Sequence, residues 1–380
     1  LNTEIFFWDY DIYIDVAKEF KNTDNIYGVK FNNWPITYSP IVLIFLASIN
    51  EFLTPFLLFI YLLSIISFCL FFRKEPKIFI YSILISIALF EIRYQSIWMA
   101  LITGNMAIFL HAAIISLWLF RNNFNTKIAL YTAIAIGAII KPPIFSFYIL
   151  LPLLADARIS VSRILPGLIT MIAVILIFAL QFVMFPELFS DWINALEVRV
   201  LETAKDNRES WSIISLWINV SNSYVVAILV YIITSLLIIA FWVYYKRRYL
   251  DKIENTDFVK PCISIIPVVI CMIIMPRLQL YDYAIMNFLL IYLLLKIKVF
   301  EINYNFIFKS KISLLGITAI FIWTIQWILY FVRLYDPSEF FVETFFPISI
   351  IIGACFPTFL IIIIALVDRS KKIRLDTWPQ

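Results

Sequence analysis

Residues 138–154 read AIIKPPIFSFYILLPLL. A single charge, Lys141, stands in a run that is otherwise apolar or weakly polar, and two prolines follow it directly. Proline lacks an N–H and clashes with the carbonyl four residues back, so a helix arriving from residue 127 has to stop at Lys141. The pattern predicts a hairpin of two short helices, 127–140 and 142–155, broken at Lys141-Pro142-Pro143. A charge in such surroundings costs several kcal/mol unless it is paired or wetted. Broken helices at membrane depth occur where the freed backbone lines protein or a cavity. The stretch therefore reads as part of a membrane-embedded helical bundle, with a cation held at its break.

The rest of the chain agrees. Its 380 residues are 63% hydrophobic and only 15% charged, with a mean hydropathy of +0.92. Soluble domains carry about a quarter charged residues. Apolar runs recur at 52–72, 78–93, 105–120, 163–184, 224–245, 259–276, 284–300, 312–333 and 342–367. With the broken pair they predict an all-α polytopic membrane protein of about 11 crossings, several below the roughly 20 residues of a full span. A further re-entrant turn is expected over 41–50. There is no internal repeat or low-complexity linker, so residues 1–380 form one expected domain.

Basic residues set the orientation. If residues 1–40 lie outside, 20 of the 30 Lys and Arg residues fall on one side, which is then cytoplasmic together with the C-terminus. The loop 185–223 falls outside. The net charge of +4 reflects this topology and implies no nucleic-acid partner. The four cysteines sit in apolar runs without metal spacing and read as small buried hydrophobes. No phosphate-binding glycine loop or dinucleotide fingerprint is present, and six glycines in all argue against a nucleotide-binding domain.

Against this background the opening, IFFWDYDIYIDVAKEF (5–20), is unusual for its spaced carboxylates. Read as a helix, it carries Asp9, Tyr13 and Ala17 on one face and Asp11 and Asp15 roughly opposite. Ile5, Trp8, Ile12 and Val16 form an apolar stripe bordering Asp9. Such a helix is expected to lie on the outer membrane surface, with Asp9 at the lipid boundary. The plainer reading makes all three aspartates a solvated face.

The spacing Asp9-x-x-x-Tyr13-x-x-x-Ala17, then Tyr27-Gly28, then Tyr38-Ser39-Pro40, resembles the first outer loop of the GT-C glycosyltransferases. The similarity is to the polyprenol-phosphate-mannose-dependent mannosyltransferases of glycosyltransferase family 87. ITGNMAIFL (102–110) resembles that family's Gly-Asn step opening a helix, and the Lys-Pro stretch of 138–154 has a counterpart there. DNRESWSIISL (206–216) and MPRLQLYDYAIM (275–286) resemble its large-outer-loop and Pro-to-Tyr segments. Each motif is short, and their order along nearly the whole chain carries the resemblance. Two departures stand out. The family carries a transmembrane helix before the first outer loop, whereas this sequence begins, without an initiator Met, at that loop, which leaves a preceding segment open. Where many members have a histidine, this chain has Tyr281-Asp282-Tyr283.

The resemblance implies a GT-C-type bundle that moves a sugar, usually mannose, from a polyprenyl-phosphate donor to a lipid or glycan acceptor on the outer face of the plasma membrane. Asp9 would be the general base, taking the proton of the attacking hydroxyl. Inversion needs only one carboxylate, because phosphate leaves unprotonated. Cations would steady the departing phosphate, with Arg277, Lys141 and Arg93 as candidates. The plain alternative for the arginines is pairing, Arg277 with Asp282 and Arg93 with Glu91. Asp11, Tyr13, Tyr38, Asn105, Ser210 and Asp282 complete the expected substrate-binding set. No cofactor is expected. The resemblance leaves a divalent metal open, although no ligand cluster is evident in the sequence. His111, the only histidine, reads as a packed residue rather than a catalyst. Trp34, Tyr38, Trp211 and Trp217 suit either sugar stacking or the membrane interface. Two rival classes share the bundle: a transporter or flippase of lipid-linked glycans, and a polysaccharide polymerase or ligase. The missing repeat disfavours the first. Carboxylates gathered in the first loop disfavour the second.

Overall fold

The computed structural model describes residues 8–20, 22, 26–31, 34–49, 105–119, 121, 124–156, 161–205, 212–221, 223–249 and 259–276, with Ile80, Leu84, Asp282, Ile285, Met286, Leu289 and Tyr292. The expected spans 52–72, 312–333 and 342–367, most of 78–93 and 284–300, and the candidate residues Arg93, Ser210 and Arg277 lie outside the described residues. So do the side chains of Asp9 and Asp11. Regular structure among the described residues is helical except for one small ribbon.

Helix α1 (Trp8–Glu19) buries Tyr13, Val16 and Ala17 and exposes Asp15 and Lys18. Three- and four-residue spacing puts the buried trio on one side, where Tyr13 and Ala17 of the expected Asp9 face meet Val16 of the apolar stripe that borders it. What covers that face differs from the expectation. Val16 packs with Ile26, Tyr27, Ile36, Leu43, Trp192 and Ala195, and Tyr13 and Ala17 pack with Val42 and Leu46. The helix is thus docked on protein, because its small and β-branched residues fit between other elements. After a 3₁₀ turn at Ile26–Gly28, strands β1 (Lys30–Phe31) and β2 (Trp34–Pro35) pair antiparallel, with Phe31 opposite Trp34. The stretch expected as a re-entrant turn is helix α2 (Pro40–Ser48), started by Pro40 at its first position.

Helices α3 (Met106–Leu119) and α4 (Phe124–Ile140) pack together. The chain breaks at Lys141, as the Lys-Pro-Pro sequence predicts. Beyond it, the expected single helix 142–155 is three pieces: α5 (Pro142–Phe145), a 3₁₀ turn at Ser146–Leu150, and α6 (Leu151–Asp156). Pro142, Pro143 and Pro152 each lack the N–H that a continuous helix needs. Gly137 makes the fold-back possible, since a Cβ there would lie 2.6 Å from the buried Phe145 ring. A packed core holds few gaps, so only glycine lets the two segments approach this closely.

Helix α7 (Val161–Met184) and α10 (Tyr224–Tyr249) contain stretches, Ile164–Met184 and Tyr224–Arg247, long and apolar enough to cross a membrane. Their mean hydropathies are 2.6 and 2.7, and only 22% of each most apolar window is buried within the protein. Apolar helix surface left this open suits a lipid surrounding. Between them, the expected outer loop 185–223 is largely helical, as α8 (Pro186–Lys205) and α9 (Ile213–Ser221). Helix α11 (Val259–Ile274) packs its Ile265–Met272 stretch into the main core with α3, α4 and the broken segment. Two indole N–H groups tie this core to backbone, Trp118 donating to Ser264 O and Trp242 to Leu154 O, both at 2.7 Å.

Candidate functional site

Three of the expected site residues, Tyr13, Tyr38 and Lys141, gather where the first loop meets the broken end of α4, and Asn105 reaches the same place from α3. Residues 37–41 are fixed there from several directions. Trp192 of α8 donates to Thr37 O at 3.0 Å, and Tyr27 Oη donates to Tyr38 O at 2.7 Å. Tyr38 Oη donates to Tyr13 Oη at 3.1 Å, the two rings meeting edge to face with centroids 5.6 Å apart. Ser39 Oγ donates to Ile139 O at 3.2 Å, and Ile41 N–H donates to Gln181 Oε1 of α7 at 3.1 Å. Ile139 belongs to the last turn of α4, whose carbonyls have no helical partner, so Ser39 fills a vacancy that the break creates. Each such bond adds about 1 kcal/mol net. Together they hold a loop without long secondary structure.

Burial, reinforced by the Asp191 carboxylate, pushes the Tyr27 phenol well above its ordinary value of 10.0. Tyr27 therefore stays a neutral donor to the loop.

Ile139 and Ile140 pack on the same small cluster as Tyr38, formed by Tyr13, Ala17, Val42 and Leu46. The next residue is Lys141, half-buried, whose N–H closes α4 on Gly137 O at 2.8 Å. Its Nζ donates to Asn105 Oδ1 at 3.3 Å. Asn105 is buried and its Oδ1 also accepts the Ala107 N–H at 2.9 Å, which caps the start of α3. The lysine thus lies at the carbonyl end of one helix, where a positive charge is favoured, beside the capped start of another. Asp9 occupies the α1 position one turn before Tyr13, the residue that reaches this helix end.

A second polar group lies inside the main core. His111 of α3 and Asp282 are each 1% exposed, with Nε2 of the imidazole 3.4 Å from Oδ1 of the carboxylate. The other ring nitrogen, Nδ1, is hydrogen-bonded to Tyr148 Oη at 2.6 Å, and Phe145 packs on the ring at a centroid distance of 4.7 Å. Sequence reading took His111 for a packed residue, did not single out Tyr148, and expected Asp282 among the substrate-binding residues. The structure sets Asp282 beside His111, and the one signal for that meeting in the sequence is the uniqueness of the histidine in an apolar run.

Of the remaining motifs, 206–216 and 275–286 meet: Ser212 Oγ donates to Pro276 O at 2.5 Å and lies 3.0 Å from Ser215 Oγ. Among the described residues no group of three or more His, Cys, Asp or Glu side chains is placed to hold a metal. The loop-side cluster offers an ammonium, a buried amide and two phenols, a set able to bind an anionic, hydroxyl-rich ligand. No protein-family model, curated protein or solved structure matches the chain.

Proposed function

We propose that the protein is a multi-pass glycosyltransferase of the plasma membrane. It transfers a sugar, mannose in the first instance, from a polyprenyl-phosphate donor to a lipid or glycan acceptor on the outer face. The observation that carries this reading is the half-buried Lys141, tethered to Asn105 at the helix end against which the Tyr13 and Tyr38 cluster packs. A lysine ammonium held at a broken, apolar helix end is suited to grip an anion that enters there. A donor phosphate is such an anion, and its prenyl chain would find apolar helix surface of the kind that α7 and α10 present.

In the proposed reaction Asp9 accepts the proton of the acceptor hydroxyl as that oxygen attacks the anomeric carbon. The bond from the anomeric carbon to the phosphate oxygen breaks, its electron pair leaves with the polyprenyl phosphate, and the configuration inverts. Lys141, positioned by Asn105, offsets the charge that develops on the phosphate. Tyr13 and Tyr38, whose hydroxyls touch, shape the acceptor side. Arg93, Arg277, Ser210 and Asp11 are assigned to substrate binding on the resemblance alone.

The experiment is transfer from radiolabelled polyprenyl-phosphate-mannose to endogenous lipids in membranes carrying the full-length gene product, against membranes lacking it. Labelled product that depends on the protein supports the reading. If other polyprenyl-linked sugars also give none, and labelled donor instead crosses sealed vesicles only when the protein is present, the molecule is a flippase.

A further inference from the structure

The last turns of α10 carry a groove that the proposed transfer chemistry does not use. Ala240, Val243, Tyr244 and Arg247 line it, and its volume is about 440 Å³. These positions follow the three- and four-residue spacing of one helix face. Along that face they run apolar, apolar, phenolic and cationic. With a rise of about 1.5 Å per residue the strip is about 10 Å long, enough to cross a headgroup layer of roughly 5–8 Å and enter hydrocarbon. Arg247 closes the stretch Tyr224–Arg247 that is long and apolar enough to span a membrane. One position further round the helix, Phe241 and Tyr245 stand exposed and stacked with centroids 6.3 Å apart, as aromatic residues do at a membrane interface. We infer that the groove holds one anionic glycerophospholipid. Its phosphate meets Arg247, its glycerol and ester region lies against Tyr244, and an acyl chain runs along Val243 and Ala240.

Charge selects the headgroup. Residues 246–252, KRRYLDK, hold four cations against one carboxylate, Asp251. Helix α6, which packs on α10, ends at Asp156, with Arg158 two residues on. Pairing of either carboxylate with a neighbouring cation therefore leaves this end of α10 positive. Lys246 is buried by protein, whereas Arg247 is exposed and lines the groove. A guanidinium carries five N–H donors in a fixed fork, so contacts to protein on one edge leave donors for a phosphate. A zwitterionic lipid brings its own ammonium and gains less from the positive excess than an anionic one. A free phosphate has the charge but nothing to set against Ala240 and Val243. The inference rests on α10 crossing the membrane and not on sugar transfer. The orientation drawn from the basic residues puts the groove in the cytoplasmic leaflet.

Photolabelling tests the site. Full-length protein is placed in phosphatidylcholine nanodiscs that contain a trace of phosphatidylglycerol or phosphatidylcholine with a diazirine in the acyl chain, and the labelled residues are mapped. The phosphatidylglycerol probe should label residues 240–247 about fivefold more than the phosphatidylcholine probe. Unlabelled phosphatidylglycerol should compete for them, and inorganic phosphate should not. Arg247→Gln should abolish the preference. Should that variant not fold, Val243→Trp, which fills the groove and keeps the charge, should lower labelling of 240–247 by phosphatidylglycerol. The exposed apolar side chains over residues 225–237 are the internal control, because either probe labels them if α10 crosses the membrane. With the control labelled, equal labelling of 240–247 by the two probes overturns the site. So does a preference unchanged in folded Arg247→Gln, undiminished labelling in folded Val243→Trp, or loss of label to inorganic phosphate. A control that neither probe labels overturns the crossing of α10, and the site with it.

Discussion

The broken segment after α4 carries two polar side chains that reach α3, and they live in different surroundings. At its start, half-buried Lys141 donates to a neutral amide, and the first loop is pinned alongside by Ser39 and Tyr38. Seven residues on, Tyr148 sits in a closed core against His111 and Asp282, with no exposed edge. The first region holds a half-buried ammonium on a buried amide. The second is a set of buried groups that face one another, Tyr148 Oη bonded to Nδ1 and Asp282 Oδ1 3.4 Å from Nε2. The difference is one of exposure: the charge at the break is half-buried, whereas the core groups are closed off from solvent.

Changes in the core should be the costliest. Phe145, fully buried between Gly137 and the His111 ring, should cost about 3–5 kcal/mol as Phe145→Ala, read as a fall in thermal midpoint in detergent. A fall no greater than for surface variants would mean that the segment is not packed as described. Gly137→Ala is next. The added methyl meets the Phe145 ring at 2.6 Å, and the strain should cost about 1–3 kcal/mol. A stabilised variant, as helix propensity alone would give, would break the account of the fold-back.

At the edge, stability and function should part. Lys141→Met leaves Asn105 capping α3, so stability should shift by less than about 1 kcal/mol while sugar transfer falls at least about tenfold. Equal damage to both would make Lys141 a structural residue and erase the contrast between the two regions. The smallest effect is alkaline. Tyr27 is favoured as the neutral phenol in the fold, so its contribution is complete below the ordinary tyrosine value of 10.0 and declines as pH climbs above it. A pH series of unfolding midpoints should show less alkaline loss in Tyr27→Phe than in the wild type.

Some of this was legible in the residues. Lys141-Pro142-Pro143 announces a break because proline removes a donor, a strictly local effect. The inward face of α1 follows from the spacing of Tyr13 and Ala17. Whether lipid or protein would cover that face was not legible, since its neighbours come from Val42, Trp192 and the end of α4, far along the chain. The same distance hid the core site: His111 and Asp282 are brought together only by tertiary packing, and each alone looks like an isolated polar residue. The short helices of 186–221 escaped notice because α8 mixes charged and apolar residues and reads as a solvated loop.

The central claim is that the first loop carries the base that acts beside Lys141. The most direct test compares transfer from labelled polyprenyl-phosphate-mannose in membranes with equal amounts of wild type and Asp9→Asn. A fall of roughly 10²–10⁴-fold, with unfolding unchanged, is the predicted result. Undiminished transfer by Asp9→Asn would contradict it and move the base elsewhere, with Asp11 the next residue to replace.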